Sequence, residues 1–205
     1  MSDDAPVRLF VAAVPPDHVR TLVTAARAPA HDQAPELTWT RPEGWHVTLA
    51  FLGDVAATDL DAVAGVVTDV AGRTEAFEAR VADAGRPDDR VLWLAVDDDP
   101  RGAFAALGER LQAGLAAVGL PVRRRSVRAH LTLARAARGR RIDDALLAAV
   151  AGVEAGWEVD HVVALRSVRG DGPARYVPVV AAPLAGPPAG DDASAAPASE
   201  DDAPS

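Results

Sequence analysis

A five-residue pattern occurs twice in this chain: His46-Val47-Thr48-Leu49-Ala50 and, 84 residues later, His130-Leu131-Thr132-Leu133-Ala134. On a β-strand, residues i and i+2 share a face. The pattern therefore predicts two strands of the same design, each with a His-Thr pair on one side. Val47, Leu49 and Phe51, or Leu131 and Leu133, fall on the other side, toward a core. Two such polar faces can line one cleft.

The chemistry follows from the residue types. An unperturbed imidazole titrates near ~6.5, so of two neighbouring histidines one can act as base while the other acts as acid. A threonine hydroxyl donates a hydrogen bond to a phosphoryl oxygen and stabilises charge as it builds on phosphorus. Two histidines on opposite sides of phosphorus suit in-line displacement by water. Neither motif contains a carboxylate and the chain has no Cys, so a metal site is not expected and no cofactor is implied. All 21 basic residues are Arg, which excludes a lysine nucleophile and leaves anion binding to guanidinium groups.

The rest of the chain frames these strands. Strands are predicted over residues 7–13, 36–40, 45–52, 77–82, 91–96, 127–134, 157–168 and 176–180. The sequence Gly85-Arg86-Pro87-Asp88-Asp89 marks a hairpin between 77–82 and 91–96. Helices are predicted from about residue 16 to 27, from 58 or 59 to 71, around 143–150, and across Phe104, Leu107, Leu111, Leu115 and Val118, closed by Gly119. His18 on a surface helix and His31 in a polar loop read as bystanders. His161 shares parity with Val159, Val163 and Leu165, which predicts a buried or hydrogen-bonded core residue.

With 49% hydrophobic residues, 205 positions suffice for one sizeable core, so one domain is expected over 1–183. From residue 184 onward Ala, Gly, Pro, Ser and Asp dominate, a composition expected to be a disordered acidic tail. No apolar run is long enough to span a bilayer, and the acidic N-terminus is unlike a signal peptide. A soluble, cytoplasmic protein and no membrane partner are expected. The net charge of −9 argues against a broad electrostatic grip on duplex nucleic acid, so any polyanion must be recognised locally.

Together, His46-Val47-Thr48-Leu49-Ala50-Phe51-Leu52-Gly53, His130-Leu131-Thr132-Leu133-Ala134-Arg135, the opening Arg8-Leu9-Phe10-Val11-Ala12 with Pro15, and Arg175-Tyr176 near the end resemble the two-histidine (2H) phosphoesterase superfamily. The resemblance is to its RNA 2′,3′-cyclic phosphodiesterase branch, long labelled 2′-5′ RNA ligase. It implies an α+β fold of two pseudo-symmetric lobes, each an antiparallel sheet flanked by helices, with the active-site cleft between them. It also implies that RNA ending in a 2′,3′-cyclic phosphate is hydrolysed to a 2′-phosphate without a metal, by a monomer.

His46 maps onto the family's proton donor and His130 onto its proton acceptor, with Thr48 and Thr132 on the phosphate. Arg128 shares the parity of His130, whereas Arg135 has the opposite parity and is favoured by the resemblance. Phe10 and Tyr176 are positioned to stack on a base. The chain departs from the family pattern at Ala129, where Pro is common, and at Trp45, where an aliphatic residue is usual. Reversible 2′-5′ joining, a non-catalytic RNA-end-binding module and a metal-ligating histidine pair are the competing readings.

Overall fold

A computed structural model describes residues 6–168 and 174–186. Its elements are, in chain order, β1 (Val7–Ala13), α1 (Asp17–Gln33), β2 (Thr38–Trp39), β3 (Val47–Val55), α2 (Leu60–Gly72), β4 (Phe77–Gly85), β5 (Val91–Asp99), α3 (Ala103–Ala117), β6 (His130–Arg135), α4 (Asp144–Ala149), β7 (Gly156–Val159), β8 (His161–Val168) and β9 (Arg175–Pro183). They form a four-stranded sheet, β3-β1-β8-β9, and a five-stranded sheet, β2-β6-β5-β4-β7, antiparallel throughout. The two motif strands, β3 and β6, hold equivalent places. Each pairs with a partner, β1 or β5, from which most of its sheet extends; β3 is the edge of its sheet, whereas β6 also carries the two-residue β2 on its outer side.

One continuous apolar cluster joins the sheets. It includes Leu9, Val47 and Leu49 from the first sheet, Leu92, Leu131 and Leu133 from the second, and Val63, Val67, Leu107 and Leu111 from α2 and α3. A smaller cluster covers the opposite face of the first sheet: Phe10, Ala12, Val163 and Leu165, with Phe51 and Tyr176 against it.

Both motif strands carry a β-bulge at the same point. Along β1 and β3, Ala12 pairs with Thr48 and Val11 with Ala50, leaving Leu49 as the extra residue. Along β5 and β6, Trp93 pairs with Thr132 and Leu92 with Ala134, leaving Leu133 as the extra residue. Two consecutive residues then face the core, Leu49-Ala50 and Leu133-Ala134, all buried. This accounts for the trailing alanine of the repeat, since a small residue fits where the strand bends. The bulge also reverses the alternation beyond it. Phe51, expected beside Val47 and Leu49, instead shares the His46-Thr48 side, and Arg135 returns to the side of His130 and Thr132 by the same step.

Other expectations change in physical ways. Residues 157–168 form two strands in different sheets: β7 pairs with β4, β8 pairs with β1, and Asp160 alone lies between them. The parity argument for His161 fails at this crossing. Its side chain is 44% exposed and its Nδ1 lies 2.5 Å from Asp160 Oδ1, so it is not a core residue. α1 runs past residue 27 to Gln33 despite Pro29, with Ala30 fully buried, so His31 lies on a helix rather than in a loop. Strand β6 begins at His130 rather than residue 127, and β2 is shorter than expected.

The ordered chain also continues beyond residue 183. Leu184 is buried and donates its N–H to Asp160 O, while Ala185 exchanges backbone hydrogen bonds with the Thr74–Ala76 segment. The remainder of the expected tail, residues 187–205, lies outside the described residues.

Helix α3 ties the two motif strands together. A Cβ on its Gly108 would lie 2.2 Å from Val127 Cγ2 and 3.1 Å from the Leu49 carbonyl oxygen, so only glycine lets the helix approach this closely. One turn later, buried Gln112 donates from Nε2 to Leu49 O and Arg125 O, both at 2.9 Å, and its Oε1 accepts from Arg125 N at 2.9 Å. The side-chain amide thus satisfies the carbonyl of the bulge residue in β3 and a peptide group in the segment leading into β6. Gln112→Leu is expected to leave these groups unpaired and cost about 2–4 kcal/mol, on the order of 1 kcal/mol or more for each lost partner. Chemical unfolding of the purified variant measures this, and an unchanged midpoint would contradict the role assigned to the amide.

Candidate active site

The two polar strand faces meet. Thr40, Gly44, His46, Thr48, His130, Thr132, Arg135 and Tyr176 line one cleft of about 140 Å³. His46 and Thr48 come from the start of β3 and its lead-in, and His130 and Thr132 from β6. Thr40 follows β2, where its N–H donates to Leu133 O at 2.8 Å. A Pro42–Gly44 3₁₀ turn delivers His46, and Trp45 beside it is completely buried, fixing the entry of the strand as an aliphatic residue would.

The histidines are held alike. Nδ1 of His46 donates to Gly44 O at 2.8 Å, and Nδ1 of His130 donates to Arg128 O at 2.6 Å; each carbonyl belongs to the residue two positions earlier. With Nδ1–H engaged, Nε2 is the nitrogen left to exchange protons. Each ring is also backed by an aromatic residue of the neighbouring strand. Phe10 lies 4.7 Å from His46 and Trp93 lies 4.2 Å from His130, measured between ring centroids. Tyr176 meets both His46 and Phe10 edge-on at 5.1 Å.

This setting depresses both imidazoles. Burial is the main cause for His46, offset in part by the bond to Gly44 and reinforced by His130 and Arg135, and it lowers the pKa to about 4. His130 is lowered for the same leading reason, with Arg135 and Arg128 adding to the effect and the bond to Arg128 O opposing it. Both rings are therefore neutral in the free cleft near pH 7. An anion held between them would work against each of these effects and favour protonation.

The residues singled out from the sequence separate into three positions. His46, Thr48, His130, Thr132, Arg135 and Tyr176 line the cleft together. Phe10 is buried behind His46, part of the wall rather than an open surface. Arg128 is exposed and lies over the Trp93 ring at 5.0 Å, beside the cleft rather than within its lining. Thr40, Gly44 and Trp93 escaped the sequence reading. Trp93 could have been found from hairpin parity, since it alternates with buried Leu92 and Leu94; Thr40 and Gly44 carry no local signal. Among the described residues, no group of three or more His, Cys, Asp or Glu is placed to hold a metal, and no helix is long and apolar enough to cross a membrane.

Residues 15–171 match the model of the 2′-5′ RNA ligase superfamily. The RNA 2′,3′-cyclic phosphodiesterase of Geobacillus stearothermophilus is 25% identical over 186 residues, which cover 88% of this chain. The matched region spans 58% of that relative's length. The crystal structure of E. coli LigT complexed with 3′-AMP superimposes with a TM-score of 0.70 at 28% identity, covering 87% of this chain and 98% of that one. A protein of Thermus thermophilus gives a TM-score of 0.71 at 24% identity over 87% of this chain and 98% of its own, a likeness of fold. The family match over most of the chain, with the two-sheet architecture it shares with LigT, establishes that this chain belongs to the 2′-5′ RNA ligase superfamily of 2H phosphoesterases.

Proposed function

We propose that the protein hydrolyses terminal 2′,3′-cyclic phosphates of RNA to 2′-phosphates, by acid–base catalysis between His46 and His130. The observation that carries this reading is the convergence of two identically held histidines and two threonines on one cleft. The relative named RNA 2′,3′-cyclic phosphodiesterase and the 3′-AMP complex of LigT support the substrate class. All the groups come from one chain, so the reaction is assigned to a monomer, and a cytoplasmic site of action fits its RNA substrate.

In this mechanism neutral His130 takes a proton through Nε2 from the attacking water as its oxygen bonds to phosphorus. The bond from phosphorus to the 3′-oxygen breaks on the opposite side, and protonated His46 supplies the proton that this oxygen needs. Thr48 and Thr132 donate to the non-bridging oxygens, and the Arg135 charge offsets the negative charge that accumulates there. The substrate's own anion loads the acid: it favours the protonated form of a ring that is neutral before binding. Replacing water with a ribose hydroxyl gives the 2′-5′ joining reaction by the same proton transfers, but concentrated water favours hydrolysis.

A short RNA ending in a 2′,3′-cyclic phosphate, incubated with excess chelator, is expected to yield a 2′-phosphate. His46→Ala and His130→Ala should each lower the rate by ~10²–10⁴-fold, the range for one acid–base group. Full activity in either variant would remove the assigned pair, and loss with chelator would point to a metal. Thr48→Ala with Thr132→Ala should slow turnover without abolishing it, and a double variant as fast as wild type would exclude the hydroxyls from the reaction. Because both imidazoles are neutral in the free cleft, kcat/KM should rise as pH falls from 7 toward 5, until the base is also protonated. A kcat/KM that instead increases steadily above pH 7 would contradict a protonated histidine donor.

A further inference from the structure

Outside the cleft, two arginines converge on one aromatic ring. The guanidinium carbon of Arg8 lies 4.9 Å from the centroid of Phe51, and that of Arg123 lies 5.6 Å from it. Three features of the backbone create the cluster. The bulge at Leu49 turns Phe51 onto the His46-Thr48 side of its sheet. Arg8 stands two residues before Phe10 on β1 and shares its side. Arg123 donates its backbone N–H to Phe51 O at 3.0 Å, which fixes its side chain beside the ring.

Two like charges gathered on one ring repel each other unless something negative lies between them. Among the described residues neither guanidinium forms an ion pair. Asp54 stands opposite Arg8 in the β1–β3 register and is exposed, one carboxylate beside two cations. In a chain of net charge −9 this is a local excess of positive charge. Stacking over a ring leaves the edges of a guanidinium, with its N–H donors, open to phosphate oxygens.

The size of the cleft gives this cluster a role. About 140 Å³ is well below the roughly 300–1,000 Å³ of pockets that enclose a drug-sized molecule. It admits the reacting phosphate and part of its ribose, so the rest of an RNA must leave over the surface. Phe51 is three residues beyond Thr48, about 10 Å along the strand, and lies outside the cleft lining. We propose that Arg8, Phe51 and Arg123 form a clamp for a phosphodiester upstream of the reacting end, making the protein selective for RNA chains over mononucleoside 2′,3′-cyclic phosphates. This rests on the RNA-end reading of the cleft.

The test compares wild type with the Arg8→Gln, Arg123→Gln double variant on a mononucleoside 2′,3′-cyclic phosphate and on an RNA oligomer ending in the same group. The wild type is expected to favour the oligomer in kcat/KM by about 10-fold or more, as charge-assisted contacts to one phosphate would give. The double variant should lose that preference and keep its rate on the mononucleotide. Binding of an oligomer ending in a 2′-phosphate, followed by fluorescence anisotropy across a salt series, needs no turnover. Its log–log salt slope should fall in magnitude by about 0.7 in the variant, the value for one phosphate on a single strand.

Because Arg8 is half-buried in β1, the exposed single variant Arg123→Gln should show a smaller loss of the same kind, and Arg123→Lys should recover part of it. A preserved oligomer preference and an unchanged salt slope would overturn the clamp, as would equal losses on both substrates. If the wild type hydrolyses neither substrate yet the salt slope still changes, the hydrolase reading falls and the clamp stands.

Discussion

The side-chain amide of Gln112 holds the rest of the arrangement in register. The bulge in β3 leaves the carbonyl of Leu49 without a ladder partner, and a buried carbonyl in that state is costly. Gln112 supplies the missing donor and, with its remaining groups, pairs with Arg125 as another strand would. One helix side chain therefore bonds to the residue after Thr48 and to a peptide five residues before His130. The absent Cβ of Gly108 brings the helix close enough for this to happen. The two cleft-facing strands are related through a hydrogen-bonded contact and not only through a shared apolar core.

The electrostatics of the protein work on two scales. Over the whole chain the balance is acidic, which keeps polyanions from binding indiscriminately. Around the cleft the balance reverses, through Arg135 at its lining and Arg128 over Trp93 beside it. Burial above all, with Arg135 beside both rings and Arg128 beside His130, keeps the histidines neutral in the free cleft near pH 7. In the proposed mechanism the cleft therefore acquires its proton together with its ligand. The paired Nδ1 bonds to the carbonyls two residues back work against the lowering of both pKa values and orient both rings with the same local backbone device.

Much of this was legible in the sequence because it is written in local periodicity. The His-x-Thr alternation located the cleft-facing residues, and turn chemistry located the hairpin. What failed was whatever depends on register between strands. Phe51 was placed on the core side and Arg135 had the wrong parity for the cleft, because a bulge is a property of two paired strands, and the trailing alanine that fits it does not announce it in one of them. The crossing at Asp160 misled the reading of His161 for the same reason: the alternation of Trp157-Glu158-Val159-Asp160 runs into the next strand with no Gly or Pro between them, which hides a change of sheet. Gln112 and Thr40 act through partners distant in sequence, Leu49 and Leu133, and no spacing rule points to them. Tyr176 was visible only through its neighbour Arg175 and the family likeness.

The strand order carries a further consequence, for the growing chain. β1 is made before every other described strand, yet it lies inside its sheet, between β3 and β8. One of its edges is covered as soon as β3 emerges, but the other must wait for residues 161–168. At ~5–20 residues per second, synthesis of the intervening stretch takes roughly 8–30 s. For that time an apolar strand, Leu9-Phe10-Val11-Ala12-Ala13, presents unpaired backbone groups that can recruit a wrong partner. The lobe that houses His46 is complete only when nearly the whole domain has been synthesised, so the chain cannot assemble its two halves one after the other.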